Sequence, residues 1–238
     1  PSPGASARRR RERKRERNDW LLEAEATGNG ETLMAARFRG YLPVVLDVET
    51  GGFNARTDAL LEVAATPLEM NESGDLVCGP TFSHAVLPFA EANIEQASLD
   101  FTGIDPYDPE RGAIDEGEAL RSLFSDIRHA VRAAGCKRAI LVGHNAFFDH
   151  GFLFAAAERQ QIKRNPFHPF STFDTVTLAG MAFGQTVLAK ACVMAGVEFS
   201  ARKAHRASYD CEKTAELFCV IVNRWHQALG WPPSDPTG

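Results

Sequence analysis

The chain predicts a mixed α/β fold, a five-stranded mixed sheet flanked by helices. Three observations carry this. The first half holds three strand-like apolar runs in close succession, which read as an antiparallel meander. The second half alternates apolar strand runs with helical patterns, as parallel strands require. The 238 residues, with an apolar share of 44%, suit one such domain, or one domain plus an arm.

Residues 1–33 are set apart from the rest. Pro, Gly and Ser open them, and Arg8 through Arg17 then carry eight basic and two acidic side chains, a net +6. Asp19 to Ala26 has the pattern of a short amphipathic helix, which Thr27-Gly28-Asn29-Gly30 ends. So charged a segment buries too little surface to order itself, and a disordered basic arm is expected. It either tethers RNA or is simply a solvated tail. The folded domain is expected over residues 34–232, with 233–238 as a C-terminal tail.

Within the domain the strands fall at about 43–49, 60–69 and 81–87, then at about 138–143 and 171–174. A loop with Gly103, Pro106, Pro109 and Gly112 follows the meander. A helix over about 117–134 gathers Ala119, Leu120, Leu123, Phe124, Ile127 and Val131 on one face. Further helices are expected at about 150–161 and about 186–195. The long last helix has Ala215, Leu217, Phe218, Val220, Ile221, Val222 and Trp225 as its apolar residues. There are no internal repeats.

Composition excludes several classes. The total charge is −5, so the +6 arm leaves −11 on the rest. With an acidic body, any nucleic-acid contact must come from a local basic patch. The five cysteines (78, 136, 192, 211, 219) lack Cys-x-x-Cys spacing, which suggests neither a disulfide framework nor a zinc site. No apolar stretch is long enough to span a bilayer and no secretory signal core is seen, so a soluble, cytoplasmic protein is expected.

The chemistry lies in separated segments. Leu46-Asp47-Val48-Glu49-Thr50-Gly51 closes the apolar run Pro43-Val44-Val45-Leu46. Asp47 and Glu49 are two apart on a strand and so share a face. Two carboxylates there are costly unless a positive partner joins them, and a divalent cation suits such oxygens. Asp149 follows the strand run Arg138–Gly143 through His144-Asn145-Ala146-Phe147-Phe148. Asp210 lies early in the last helix, and His205 stands one short loop upstream. Singly, each has a structural reading: a helix cap, an acid at a helix N-terminus, a surface histidine. Together they describe a two-metal nuclease or phosphatase.

The ordered set Asp-x-Glu-Thr-Gly, His-Asn-x-x-x-Asp and His205 before Asp210 resembles the DEDD exonuclease superfamily in its His-containing subclass. His205 meets the His spacing, whereas Tyr209, directly before Asp210, does not meet the Tyr spacing. Further segments are similar to the ribonuclease T family. They are Lys163–Thr175, Gly103-Ile104-Asp105-Pro106, Gly184–Leu188 and Phe218–Trp225, and the similarity runs from about Arg37 to about Trp231.

The resemblance implies an RNase H-like fold and a 3′–5′ exoribonuclease. Such an enzyme trims the single-stranded 3′ end of tRNA and other stable RNAs, with activity on single-stranded DNA as a further expectation. It implies that Asp47, Glu49, Asp149 and Asp210 hold two Mg²⁺ ions, which Mn²⁺ can replace, and that His205 is the general base. Asp47 would bridge both ions; Glu49 and Asp210 would serve the ion on the nucleophile side, and Asp149 the other. Phe53, Phe101, Phe148 and Phe170 would stack on the terminal bases, with Asn145 beside them. The family has a Glu four residues before the Phe101 position; this chain has Ala97, with Glu95 nearby. Arg37, Arg39, Arg132, Lys137, Arg138, Lys163 and Arg164 would form a basic patch that serves a partner subunit's site, making the working unit a homodimer. Two alternatives stay open: a DNA proofreading or repair exonuclease, which usually adds a polymerase-binding tail not expected here, and a non-catalytic RNA-binding adaptor.

Overall fold

The central strand is β1 (Tyr41–Thr50). Its Val44, Val45 and Leu46 are all wholly buried. Neighbouring side chains on a strand point to opposite faces, so both faces of the sheet are covered. The protein is seen here as a computed structural model that describes residues 32–230. Residues 1–31 of the expected basic arm, with the short helix expected there, and the expected tail at 233–238 lie outside the described residues.

β2 (Leu60–Met70) runs antiparallel to β1, and β3 (Leu76–Cys78) and β4 (Phe82–Ala85) both pair antiparallel with β2. On the other side, β5 (Arg138–Gly143) is parallel to β1, and β6 (Phe167–Asp174) is parallel to β5. The order is β3-β2-β1-β5-β6, with β4 also on β2. The antiparallel half and the parallel half fall where the sequence put them. The strand number differs: the sheet has six strands, not five. The addition is β3, of whose three residues only Leu76 is buried, so neither an apolar run nor alternation marked it.

The described helices are α1 (Leu33–Arg37), α2 (Gln96–Thr102), α3 (Glu116–Ala133), α4 (Ala146–Arg159), α5 (Thr175–Phe183), α6 (Leu188–Ala195) and α7 (Ala207–Leu229). α3 begins at an Asp115 cap, whose side chain accepts from the Gly117 and Glu118 amides. α3 and α4 pack together against the sheet, while α7 crosses β1, β2 and β3 and carries α5 and α6.

Four differences from expectation have local causes. α2 was read as loop because it buries no residue and has no apolar face. α5 was missed because Thr175–Phe183 is apolar nearly all round and shows no helical period. α4 starts at Ala146 rather than near 150, because Asn145 enters it with left-handed φ 70° and makes no side-chain cap to announce it. β6 starts at Phe167 rather than near 171. Pro169 argues against a central strand, and an edge strand tolerates it.

Candidate active site

The parallel pairing of β1 with β5 brings the end of β5 beside the acids of β1. Asp149 is thereby placed in the first turns of α4, and its Oδ1 accepts the Val48 N–H at 3.1 Å. Val48 separates Asp47 from Glu49, so this one bond ties three acids into a group. The approach depends on Gly143: a Cβ there would stand 3.0 Å from Asp149 Oδ2 and 2.9 Å from Ala146 Cα.

Asp210 comes from the first turns of α7. Its Oδ2 accepts the His205 N–H at 2.8 Å, and its Oδ1 is buried with no hydrogen-bond partner among the described residues. His205 holds a left-handed φ of 64°, which costs a non-glycine residue roughly 1–2 kcal/mol. Strain of this kind persists where neighbours fix it. One side-chain ligand atom each of Glu49, His205 and Asp210 lies within 4.8 Å of the others. On its other side the His205 ring meets Phe101, with centroids 4.2 Å apart.

Burial pushes the Asp47 carboxyl well above the usual carboxylate range, and Asp149, Glu49, Asp210 and Glu62 add to the rise. Asp47 still keeps some surface toward the cleft. Glu49 is pushed up to about 8 by burial, then by Asp210 and Glu62. Asp149 is raised by burial and by Glu49 and Asp174, against the lowering effect of the Val48 amide. Asp210 is raised by burial, with His205 and His144 pulling it back. Among the described residues no Arg or Lys side chain pairs with these acids, and the orphaned Asp210 Oδ1 lies among them. Their oxygens fit a divalent metal, so the residues present suit the group the resemblance implies.

The aromatics divide. Phe53, Phe101 and Phe170 are 81%, 66% and 80% exposed, which is unusual for rings that only fill a core. Phe53 sits on a held turn: Thr50 Oγ1 donates to the Gly52 carbonyl at 2.7 Å, and Asp58 Oδ2 accepts the Asn54 N–H at 2.9 Å. Phe148 is half-buried, 4.9 Å from the Phe152 ring and 6.2 Å from that of Phe53. It therefore supports Phe53 and the core as well as facing the cleft. Its neighbour Phe147 is the exposed member of the pair. Asn145 is exposed at the mouth of α4.

Six of the seven basic residues, Arg39, Arg132, Lys137, Arg138, Lys163 and Arg164, are exposed. Lys137 follows the Gly40 carbonyl, to which its N–H donates at 2.7 Å, and Arg138 pairs with Tyr41 across β1 and β5. Arg128 joins them, donating to the Arg164 carbonyl at 3.1 Å. Arg37 stands apart. Its guanidinium turns inward and donates to the carbonyls of Gly74 and Val222 at 3.0 and 3.3 Å. Its guanidinium serves the packing of α1, because sequence proximity to Arg39 says nothing of direction.

Sequence reasoning missed two acids at the site, Glu62 and Asp174. Glu62 faces Glu49 across the β1/β2 ladder, and Asp174 accepts the Ala146 N–H at 3.0 Å. An acid inside the apolar run Leu60-Leu61-Glu62-Val63 was the available signal for the first.

Known proteins agree with this chemistry. Residues 44–218 match a family described as Exonuclease, a span holding all four acids and His205. This places the chain among the metal-dependent 3′–5′ exonucleases. Ribonuclease T of Marinobacter nauticus is 63% identical over 200 residues, covering 84% of this chain and 90% of its own. Ribonuclease T of Hahella chejuensis is 60% identical over 208 residues, covering 87% of this chain and 95% of its own. The chain belongs to the ribonuclease T family of 3′–5′ exoribonucleases. E. coli exonuclease I, solved in complex with a dT13 oligonucleotide, shares the RNase H-like fold with a TM-score of 0.59 at 16% identity. That match covers 79% of this chain but 42% of the exonuclease I chain.

Proposed function

We propose that this exoribonuclease trims the 3′ ends of tRNA and other stable RNAs, releasing nucleoside 5′-monophosphates, with Mg²⁺ at its metal positions and Mn²⁺ able to substitute. The observation that carries the reading is the group of uncompensated acids with an imidazole in contact. Asp47, Glu49, Asp149 and Asp210 would hold the two ions. Bound there, divalent cations activate water and stabilise the leaving oxygen of a phosphodiester. His205 takes the proton of the attacking water at a ring nitrogen, as a general base. The Asp210 carboxylate fixes the His205 backbone, which sets where that ring points.

Phe53, Phe101 and Phe170 offer open ring faces to unpaired bases, Phe148 backs Phe53, and Asn145 would add a polar contact. Stacking of this kind favours a single-stranded 3′ end and is indifferent to base identity. It also reads no 2′-OH, so single-stranded DNA is a second substrate, a reading supported by the dT13 complex of exonuclease I. The exposed basic residues cluster where β1 and β5 begin, whereas Asp149 lies past the end of β5. Six strand residues separate these ends by about 17–20 Å. That distance favours a patch that grips RNA for a partner subunit's site, hence a two-fold homodimer. Free thiols at all five cysteines support a cytoplasmic setting.

The test compares a labelled tRNA-like 3′ overhang, single-stranded DNA and mismatched duplex DNA, each with Mg²⁺ or EDTA. Fastest Mg²⁺-dependent release of 5′-monophosphates from the RNA overhang is expected. Preference for the mismatched duplex would make the protein a proofreader, and absence of release from any strand would make it an adaptor.

A further inference from the structure

Asp149 and Asp210 occupy the same place in two different helices: each is the fourth residue, of α4 and of α7. Both helices begin with alanine, Ala146 and Ala207, and neither is capped by the residue before it. Asn145 and Arg206 make no side-chain bond to the first turn. The first amides of a helix have no partner inside it. Here, in both helices, a carboxylate from a separate strand takes the first one. Asp174 Oδ2, at the end of β6, accepts the Ala146 N–H at 3.0 Å. Glu62 Oε2, in β2, accepts the Ala207 N–H at 3.2 Å.

These acids cost the site something. Glu62 raises Asp47 and Glu49, and Asp174 raises Asp149. A Ser or Thr at position 145 or 206 would cap the next amides of the same first turn without charge. What a local cap could not do is tie the helix to the sheet. Glu62 stands directly opposite Glu49 in the ladder, so its bond sets α7 against β1. Asp174 pairs with Gly143 in the β5/β6 ladder, and its Oδ1 also accepts the Val176 N–H at 2.8 Å. With 3.6 residues per turn, the first and fourth residues of a helix bound a single turn. Fixing the first therefore fixes where the fourth presents its carboxylate. His205, two residues before Ala207, is tied to the same turn by its N–H, which donates to Asp210 Oδ2.

We propose that Glu62 and Asp174 are positioning residues of the nuclease reaction, each anchoring the first turn of a helix whose fourth residue is a metal-ligand acid. The inference rests on the reading of Asp149 and Asp210 as ligands. The property used is a hydrogen-bond acceptor at a fixed place, not the negative charge. Misplacing a reacting group by about 1 Å can cost about 10²-fold in rate, which sets the expected size of the effect.

The test uses the full chain with Glu62→Ala, Glu62→Gln, Asp174→Ala and Asp174→Asn, and Asp210→Asn as the control. For each, kcat and KM on a single-stranded 3′ overhang, Mn²⁺ affinity by calorimetry and the melting temperature are measured. Glu62→Ala should lower kcat by about 10²-fold and weaken Mn²⁺ binding, with KM little changed. Glu62→Gln keeps an acceptor oxygen and should restore both. Asp174→Asn keeps one of two acceptor oxygens and should fall between wild type and Asp174→Ala. If an alanine variant does not fold, Glu62→Gln decides alone: wild-type kcat and Mn²⁺ affinity support the proposal. Loss in Glu62→Gln as deep as in the control overturns it, since the charge would then be the working property. Wild-type kcat in both alanine variants overturns it while leaving the ligands in place. An active Asp210→Asn control removes the ligand reading and the proposal with it.

Discussion

Acids withdrawn from solvent in this chain are treated in two opposite ways. Glu116, at the start of α3, is 2% exposed, and its oxygens are fully answered. Arg159 donates Nη2 at 2.6 Å and Nε at 3.0 Å, Gln160 donates Nε2 at 3.0 Å, and the guanidinium lies 3.8 Å from the Phe89 ring centre. Among the described residues, no Arg or Lys hydrogen bond or ion pair reaches Asp47, Glu49, Asp149 or Asp210. Glu49 sits at about 8 and its three companions are raised as well. The chain can evidently compensate a buried carboxylate from within. Leaving four without an Arg or Lys partner in one place is an arrangement suited to a divalent cation from outside. The difference separates an acid that holds the fold from the acids proposed to bind metal.

The comparison breaks most visibly at the base. His205→Ala should lower turnover by roughly 10²–10⁴-fold, the range for lost general acid–base help, while leaving metal and RNA binding in place. Single-turnover kinetics on a labelled strand checks this, and near-normal turnover would remove His205 from the mechanism. The structural set should fail the other way. Arg159→Ala leaves Glu116 buried with only the Gln160 amide as partner, at a cost of about 3–5 kcal/mol of stability. Chemical denaturation should show that loss, and the molecules that remain folded should keep their specific activity.

A smaller effect sharpens the division among the aromatics. Phe53→Ala should weaken single-strand binding by about 1–3 kcal/mol with the melting temperature nearly unchanged, because the ring is 81% exposed. Phe148→Ala should lose both, since its ring also packs on Phe152 and the core. Equal loss of stability in the two variants would return Phe53 to the core.

The pH dependence of stability tests the same acids. A carboxylate raised from 4.5 to about 8 binds its proton more tightly folded than unfolded. Its stabilising effect is therefore complete below the unfolded value and is lost as pH rises toward the folded one. In chelator, the melting temperature should fall between about pH 5 and about pH 8.5, and Glu49→Gln should flatten that fall. An unchanged slope in Glu49→Gln would mean that other groups carry it.

Much of this was legible in the sequence, for identifiable reasons. β1 announced itself by four successive apolar residues, and Asp47 and Glu49 by strand alternation. Asp149, Asp210 and His205 emerged from the order of motifs, and the structure brings Glu49, His205 and Asp210 within 4.8 Å of one another. Contacts between strand and helix were not legible. Glu62 and Asp174 act on amides 145 and 28 residues away, and no local pattern encodes such a partner. Arg37 read as part of a basic patch because sequence shows adjacency but not direction; folding turned it onto backbone carbonyls. β3 and α2 escaped because short elements with almost no buried face leave no periodic trace.

The most direct test of the central claim is a calorimetric titration of Mg²⁺ into the chelator-stripped full chain, repeated with Asp47→Asn. The account predicts saturable binding with release of protons, because raised carboxylates must give theirs up to bind a cation. Binding should raise the melting temperature of the wild type by mass action. In Asp47→Asn both binding and turnover should be lost, while the metal-free melting temperature stays level or rises as like charge is relieved. No binding of Mg²⁺ or Mn²⁺ at millimolar concentration, together with full turnover in excess EDTA, would contradict it.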